Sequence, residues 1–411
     1  MKVLAFAYAC EPGKGSEPGA GWGLARMIAR EIGECWVITR ANNRQAIEEA
    51  LPHIPEAGRL RFVYVDLPPW ARWWKRGQRG IYLYYLLWQV AAVLRARQLV
   101  REERFDLVWH LTLANAWLGS LAPLVGGRFV YGPVGGGVGV PWRLARYLGV
   151  QGVLYELARD LARLTGRYLN PFARLAWERA EVILAQNPET VNWLPRRHRS
   201  KARVFPNALV AADGLPAAPA TRPPGGRTAL FVGRLIPLKG GAIAIEAIAR
   251  APDWRLVVLG DGPDRRRLER LARRRGVAER VEFRGWQPRE EVWRVMREEA
   301  DVLLFPSLHD EAGWVAVEAL SQGLPVLCLD HGGPPVVARN QLAVRLEDAP
   351  GHLRELERPL RGTLSLPAAL YTPAGRAVGS DVSASFEELR RLTLKCTVLL
   401  HGCEPMSYSR G

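Results

Sequence analysis

The chain has 411 residues, 48% apolar and 24% charged, which is the composition of a folded protein of about two domains and excludes a disordered chain or a disulfide-stapled miniature. Lys and Arg outnumber Asp and Glu by 57 to 41. That surplus favours anionic partners in general, whether nucleic acid, acidic lipid or phosphorylated small molecule, and does not choose among them. Five cysteines at irregular spacing, with no C-x-x-C, argue against a zinc ribbon or a disulfide framework and point to a reducing cytoplasm.

Residues 3–9 form too short an apolar run for a signal peptide and read as a first buried strand. Further short apolar runs at 35–39, 60–65, 107–110, 129–132 and 182–185 alternate with helix-like stretches, the rhythm of a parallel sheet with helical crossovers. The longest greasy stretch, 81–94, is interrupted by Gln89 and falls below the roughly 18 residues needed to span a bilayer. Residues 206–226 turn to Pro, Ala and Gly and read as a linker. The rhythm then restarts, with strands expected at 230–232, 255–259, 281–284, 302–305 and 325–329 and helices at 241–250, 265–275, 289–297 and 313–322. The predicted fold class is α/β: two doubly wound Rossmann-like domains, 1–205 and 227–360, facing each other across a cleft where ligands meet the carboxyl ends of the strands. Six of the eleven serines lie in residues 361–411. This atypical tail reads either as a poorly packed extension or as something other than the domain's natural ending.

The segment FVGRLIPLKGG, residues 231–241, follows a strand and opens a helix. Gly233 permits a tight turn, and Arg234 and Lys239 set two cations beside free helix N–H groups, which suits a diphosphate. Lysine is scarce, six against 51 arginines, so Lys239 supplies a compact point charge where Arg is the default. In HDEAGWVAVEAL, Asp310 and Glu318 bracket seven residues, with Gly313 at the helix start. A fully helical interval would rise on the order of 12 Å, beyond the roughly 5 to 9.5 Å of a glycosidase carboxyl pair, so the two would grip different parts of one ligand: Glu318 a ribose diol, Asp310 a sugar hydroxyl. Taken singly, each also reads as a surface group compensating a helix dipole.

The ordered set G-R-L-x-x-x-K-G at 233–240, G-D-G-P at 260–263, V-x-F-x-G at 281–285, the acidic-x7-Glu motif at 310–318 and G-L-P-V at 323–326 resembles glycosyltransferase family 4, retaining, nucleotide-sugar-dependent enzymes of the GT-B fold. The resemblance implies that Arg234 and Lys239 bind the donor diphosphate, Glu318 the ribose, Asp310 the transferred sugar, and the backbone at Gly285 and Trp286 the nucleobase. The family usually has Glu where Asp310 stands, and the adjacent Glu311 competes for its role. In the first half, the resemblance implies that Gly19 and Gly21, in the glycine-rich stretch after the first strand, let backbone approach the donor phosphate or acceptor; a plain surface loop is the other reading. His110, at a strand end, is similar to the histidine that family members place near the transferred sugar, or is structural. The run YGPVGGGVGVP at 131–141 and Asn187 before P-E-T complete the resemblance, which spans about residues 1–348. It further implies retention of anomeric configuration with a phosphate oxygen taking the acceptor proton, no metal and no other cofactor, and polysaccharide biosynthesis.

Residues 68–104 hold eight basic and two acidic residues together with Trp70, Trp73, Trp74 and Trp88. They read either as a surface resting on anionic lipid, peripheral on the inner face of the membrane, or as a core helix with solvated arginines. RRRLERLARRR, 265–275, reads as a solvated helix face, and no nucleic-acid partner is expected. The expected function is transfer of a sugar to a cell-envelope or exopolysaccharide acceptor, free or lipid-linked. The alternatives are a nucleotide-sugar-binding protein whose altered tail impairs catalysis, and a basic nucleic-acid-binding protein.

Overall fold

The computed structural model describes residues 1–75, 80–208, 227–338 and 343–344. Seven parallel strands build the first sheet: β1 (Lys2–Phe6), β2 (Glu34–Thr39), β3 (Leu60–Tyr64), β4 (Leu107–His110), β5 (Phe129–Val134), β6 (Val182–Ala185) and β7 (Ala202–Val204), in the order β3-β2-β1-β4-β5-β6-β7. Between them run α1 (Ser16–Glu31), α2 (Arg44–Ala50), α3 (Pro69–Arg72), α4 (Ile81–Glu102), α5 (Gly149–Leu169), α6 (Pro171–Arg179) and α7 (Pro188–Trp193). The second sheet has six parallel strands, β8 (Thr228–Val232), β9 (Arg255–Leu259), β10 (Val281–Gly285), β11 (Val302–Phe305), β12 (Val326–Leu329) and β13 (Ala343–Val344), in the order β10-β9-β8-β11-β12-β13. Its helices are α8 (Gly241–Arg250), α9 (Arg265–Arg274), α10 (Arg289–Glu298), α11 (Trp314–Ser321) and α12 (Pro334–Val337). The expected α/β class with two Rossmann-like domains is what the chain adopts.

The strands are nearly all apolar because both faces of each sheet are covered. The period of two separates those faces: Leu4 and Phe6 pack with Tyr84, Tyr85 and Trp88 of α4, while Val3 and Ala5 pack with Met27 and Ile28 of α1. In the second domain Ala229 and Phe231 pack beneath α8, and Leu230 faces Val295 and Met296 of α10. Two edge strands went unforeseen. β7 has three residues, two of them exposed, and β13 has two, too few for any periodicity.

The domains share packing. Val140, Leu144, Tyr147 and Leu148, which follow β5, sit in one cluster with Phe231, Ile243 and Leu268 of the second domain. Ala208, at the start of the expected linker, is already buried against Leu230 and Val257. Residues 209–226 and the whole 361–411 tail lie outside the described residues. Strand order reverses between β1 and β4 in one sheet and between β8 and β11 in the other, and at such a reversal the connecting loops part and leave a crevice at the carboxyl edge.

Candidate active site

The loops leaving these reversal points meet around a cavity of about 720 Å³. From the second domain, Lys239 sits in a single 3-10 turn after β8, and Gly240 then starts α8 in the left-handed conformation, φ 75°. A Cβ on Gly240 would lie 1.9 Å from the Pro306 carbonyl oxygen, so only glycine lets this turn close against the exit of β11. That packing brings Lys239 Nζ to 2.5 Å from Asp310 Oδ2. The other oxygen, Oδ1, accepts from the amides of Gly313 (2.8 Å) and Ala312 (3.2 Å). Burial alone would raise the Asp310 pKa, but Lys239 and the two amides outweigh it and hold the carboxyl below its usual range. Gly313 itself is left-handed and caps α11.

Arg234 is exposed and makes no ion pair among the described residues. Beside it a Cβ on Gly233 would meet nothing within 4 Å, so the surface above this turn is open. Glu318, on α11, is taken by Arg289, whose Nη2 and Nε lie 2.8 and 3.0 Å from Oε1. Burial nevertheless leaves the Glu318 pKa raised. Gly285 ends β10 in the left-handed region, its carbonyl accepting from Gly260 at 2.7 Å, and Trp286 beyond it is 75% exposed.

Glu311 points away from Asp310 and toward the first domain. Asn187 Nδ2 donates to its carbonyl oxygen (2.9 Å) and to its Oε2 (3.0 Å), while Asn187 Oδ1 accepts from the Thr190 amide at 2.8 Å and so caps α7. Arg159 of α5 stands 3.8 Å from Glu311 Oε1 and also hydrogen-bonds His309. Burial pushes the Glu311 pKa up, yet His309, Asn187 and Arg159 hold it below the usual carboxylate range. Through its carbonyl oxygen and Oε2 Glu311 joins the two domains, while its Oε1 is buried at the cavity wall with no hydrogen-bond partner among the described residues. A parallel contact runs from His331 Nε2 to the Gly139 carbonyl (2.7 Å) and from the Gly332 amide to Glu189 Oε1 (2.8 Å).

The first-domain wall departs from expectation at three residues. Gly19 and Gly21 lie inside α1, where a Cβ would come within 2.0 Å of the Lys14 and Ala9 carbonyl oxygens respectively. Glycine there serves close packing of the helix on its own entry loop, and neither residue lines the cavity. His110 is 1% exposed beneath the cleft, with Nδ1 2.6 Å from Ser120 Oγ and Nε2 2.7 Å from Tyr85 Oη. Burial lowers its pKa to about 4. It is a neutral core histidine, because its side chain turns between α4 and the sheet instead of out past the strand end.

Lys239, Asp310 and Glu311 do line the cavity, whereas Arg234, Gly233, Gly285, Trp286 and Glu318 lie outside its lining on the second domain. Across from Lys239 stand Glu17, Tyr82, Trp117, Tyr155 and Asn207. Glu17 accepts from the Leu113 amide at 3.2 Å, and burial raises its pKa to about 7. Asn207 Oδ1 and Trp117 Nε1 are buried with no hydrogen-bond partner among the described residues, leaving one acceptor and one donor unspent at the cavity wall. None of these five carried a sequence signal beyond Glu17, a lone acid in a glycine-rich stretch.

The sequence profile described as "Glycosyl transferases group 1" matches residues 218–349. Over 308 residues, 70% of this chain and 76% of the relative, the chain is 31% identical to a 2-deoxystreptamine glucosyltransferase of Streptomyces kanamyceticus. It is 38% identical to the lipopolysaccharide core biosynthesis glycosyltransferase LpsE of Rhizobium meliloti (strain 1021) over 132 residues, 31% of this chain and 38% of that one. Among solved structures, an apo lipopolysaccharide outer core galactosyltransferase WaaB aligns with TM-score 0.58 at 16% identity, over 96% of this chain and 99% of that one. HepE of Anabaena, solved with UDP and glucose, aligns with TM-score 0.52 at 17% identity, over 98% of this chain and 100% of that one. These structural likenesses speak to the fold, and the sequence match over three-quarters of the Streptomyces enzyme speaks to descent: the chain belongs to the group 1 glycosyl transferases, with the GT-B fold.

Proposed function

We propose that the protein transfers a sugar from a nucleotide-sugar donor to a glycan or lipid-linked acceptor with retention of anomeric configuration and without a metal or other cofactor. The observation that carries this reading is the Lys239–Asp310 pair at the cavity wall, 2.5 Å apart, with the exposed Arg234 five residues away in the chain. In the free protein the two charges satisfy each other. A bound diphosphate competes for Lys239, and Asp310 is then free to accept from a hydroxyl of the transferred sugar, so donor binding exchanges one strong contact for two. Charge develops on the leaving diphosphate as its bond to the anomeric carbon breaks; Lys239, Arg234 and the N-terminus of α8 are set to stabilise it. The acceptor hydroxyl forms the new bond on the face the leaving group vacates, and its proton goes to a phosphate oxygen.

Glu318 with Arg289 would hold the ribose, and Gly285 and Trp286 the base. The acceptor would lie against Glu17, Tyr82, Trp117 and Tyr155. A relative named for lipopolysaccharide core synthesis and a GT-B neighbour crystallised with UDP support the donor and acceptor classes. Among the described residues no helix is long and apolar enough to cross a membrane. Trp70 and Trp73, 78% and 77% exposed, support peripheral contact of residues 68–104 with the cytoplasmic face of an anionic membrane. The test is a thermal-shift screen of UDP- and GDP-sugars followed by acceptor-dependent release of the nucleoside diphosphate. A ligand at about 100 times its Kd adds about 2.7 kcal/mol, so a true donor is visible; failure of every nucleotide sugar to shift the melting curve would overturn the reading.

A further inference from the structure

Helix α5 is built inside out. Its charged and small residues Gly152, Glu156, Arg163 and Gly166 are buried, with Arg159 half-buried beside them. Arg163 Nη2 donates to the Gly137 carbonyl at 2.6 Å and Arg159 Nη2 to the Val138 carbonyl at 2.7 Å. About 200° around the helix, at the spacing four, three, four, three, four, Val150, Leu154, Leu157, Leu161, Leu164 and Tyr168 all stand in solvent, between 52% and 77% exposed. A helix that spends its polar side on the cleft loops leaves its apolar side as a continuous exposed stripe, and a stripe of this length is an interaction surface.

Two further observations say what covers it. The stripe is continued by α4, whose Leu83, Leu87, Val90 and Leu94 are exposed at the same helical spacing. The two helices meet at Tyr82 and Tyr155, both of which also line the cavity. Around this face, the exposed charged residues in 68–75, 80–102 and 141–174 are arginines, apart from Glu102 at the far end of α4. Trp70, Trp73 and Trp142 stand exposed in the segments leading into the two helices. An apolar plane rimmed by arginine and tryptophan matches an anionic lipid interface, with acyl chains under the plane and headgroups at the rim. A second copy on the same face would set arginine rim against arginine rim and close the cavity mouth.

We propose that α5, together with the first half of α4, is the face on which the protein docks to an anionic bilayer, with the mouth of the cavity held at the membrane surface. This deepens the reading above, on which it rests only for what passes from membrane to cavity.

The test is flotation of the full chain with vesicles of phosphatidylcholine and phosphatidylglycerol in equal parts, at low salt and without substrate. The wild type should float, with partitioning lower by about tenfold or more on phosphatidylcholine alone. None of the three residues changed in the variant L157E/L161E/L164E lines the cavity. This variant should stay at the bottom of the gradient while keeping the wild-type melting temperature and the same thermal shift with UDP-glucose or whichever nucleotide sugar the screen selects. Equal flotation of the variant would overturn the proposal. So would a wild type that does not float, and a drop in melting temperature of the lipid-free variant would then show that residues 345–411 or a second copy cover the stripe. Flotation without any nucleotide-sugar shift would sink the proposed activity and leave the docking face standing.

Discussion

The two walls of the cavity are made of different chemistry. On the second domain, charges are paired and held by short loops after β8 and β11: Lys239 on Asp310, and Arg289 on Glu318 behind them. On the first domain, the wall is aromatic rings, amides and one carboxyl, Glu17, and its one cation, Arg159, is turned onto Glu156 and Glu311. A diphosphate is the same ligand in every relative that uses one, and it demands cations at fixed places on a turn; a wall facing a variable acceptor carries no such demand. The difference predicts that charge-removing changes on the second wall act on the donor, while changes on the first act on the acceptor and on pH response.

The largest effect should come from Lys239→Ala. It removes the phosphate contact and strands Asp310, whose side chain is 13% exposed, without a counter-charge. We expect roughly hundredfold weaker binding of UDP or GDP by calorimetry, with binding of the bare nucleoside unchanged. Arg234→Ala, at an exposed site, should cost about tenfold. Loss of nucleoside and diphosphate binding in equal measure would break the assignment of this wall. Adding Asp310→Asn to Lys239→Ala should recover part of the melting temperature, since the stranded charge is gone.

Next in size is the contact that holds the walls together. Asn187→Ala removes both hydrogen bonds from Nδ2 to Glu311 and the cap of α7, and should destabilise by about 1–2 kcal/mol in urea unfolding. Paired with Glu311→Gln, the double variant should show a coupling of about 0.5–3 kcal/mol, the mark of residues acting through each other. Additive losses would mean that the domains are held by the shared apolar cluster around Tyr147 and Phe231 and by the contacts of His331 and Gly332, with no coupling through Asn187 and Glu311. A smaller, few-fold change is expected for Glu318→Gln in the preference for ribose over 2′-deoxyribose nucleotides, because Arg289 already occupies one carboxylate oxygen in the free protein. An unchanged preference would make Glu318 a partner of Arg289 and nothing more.

What could be read from the amino acids follows the same division. Buried parallel strands announce themselves as apolar runs, so both sheets were legible, apart from the two shortest edge strands. The Lys239 turn was legible because a phosphate site needs glycine, cation and helix start in a fixed order. His110 stayed open between two readings, since a strand-end histidine facing the core and one facing the crevice have the same local sequence; only the Ser120 and Tyr85 partners show that it faces the core. Gly19 and Gly21 stayed open for a related reason, as glycine marks close approach without saying to what. The apolar stripe of α5 has a plain helical period, but periodicity shows two faces and not which of them meets the protein. Tyr82, Trp117 and Asn207 converge on the cavity from helix α4 and two separate loops, a convergence that exists only in three dimensions.

The smallest expected effect tests the contrast most finely, because it sets the two buried carboxyls against each other. Glu17 has a pKa raised by burial to about 7, against an ordinary value of 4.5, while Asp310 is held below its ordinary 3.8 by Lys239 and two amides. Between pH 4.5 and 7 the folded protein therefore keeps a proton on Glu17 that the unfolded chain has released, and the Glu17 contribution to stability declines as pH rises through that window, levelling above it, while the buried His110 contributes in the opposite sense in wild type and variant alike. Asp310 is ionised in both states there and contributes no slope; its contribution is lost only as pH drops below the ordinary carboxylate range. Glu17→Gln should remove the decline, so the difference in unfolding free energy between wild type and variant should change across pH 4.5–7 and be flat above. The same proton decides what the acceptor wall offers: below pH 7 Glu17 donates to an acceptor oxygen, and above it the carboxylate accepts from a hydroxyl, so the variant should also flatten the pH profile of acceptor KM while leaving donor affinity alone. A pH-independent difference between the two proteins would show that Glu17 is solvated at the cavity mouth, and the first wall would then hold no carboxyl that titrates between pH 4.5 and 7.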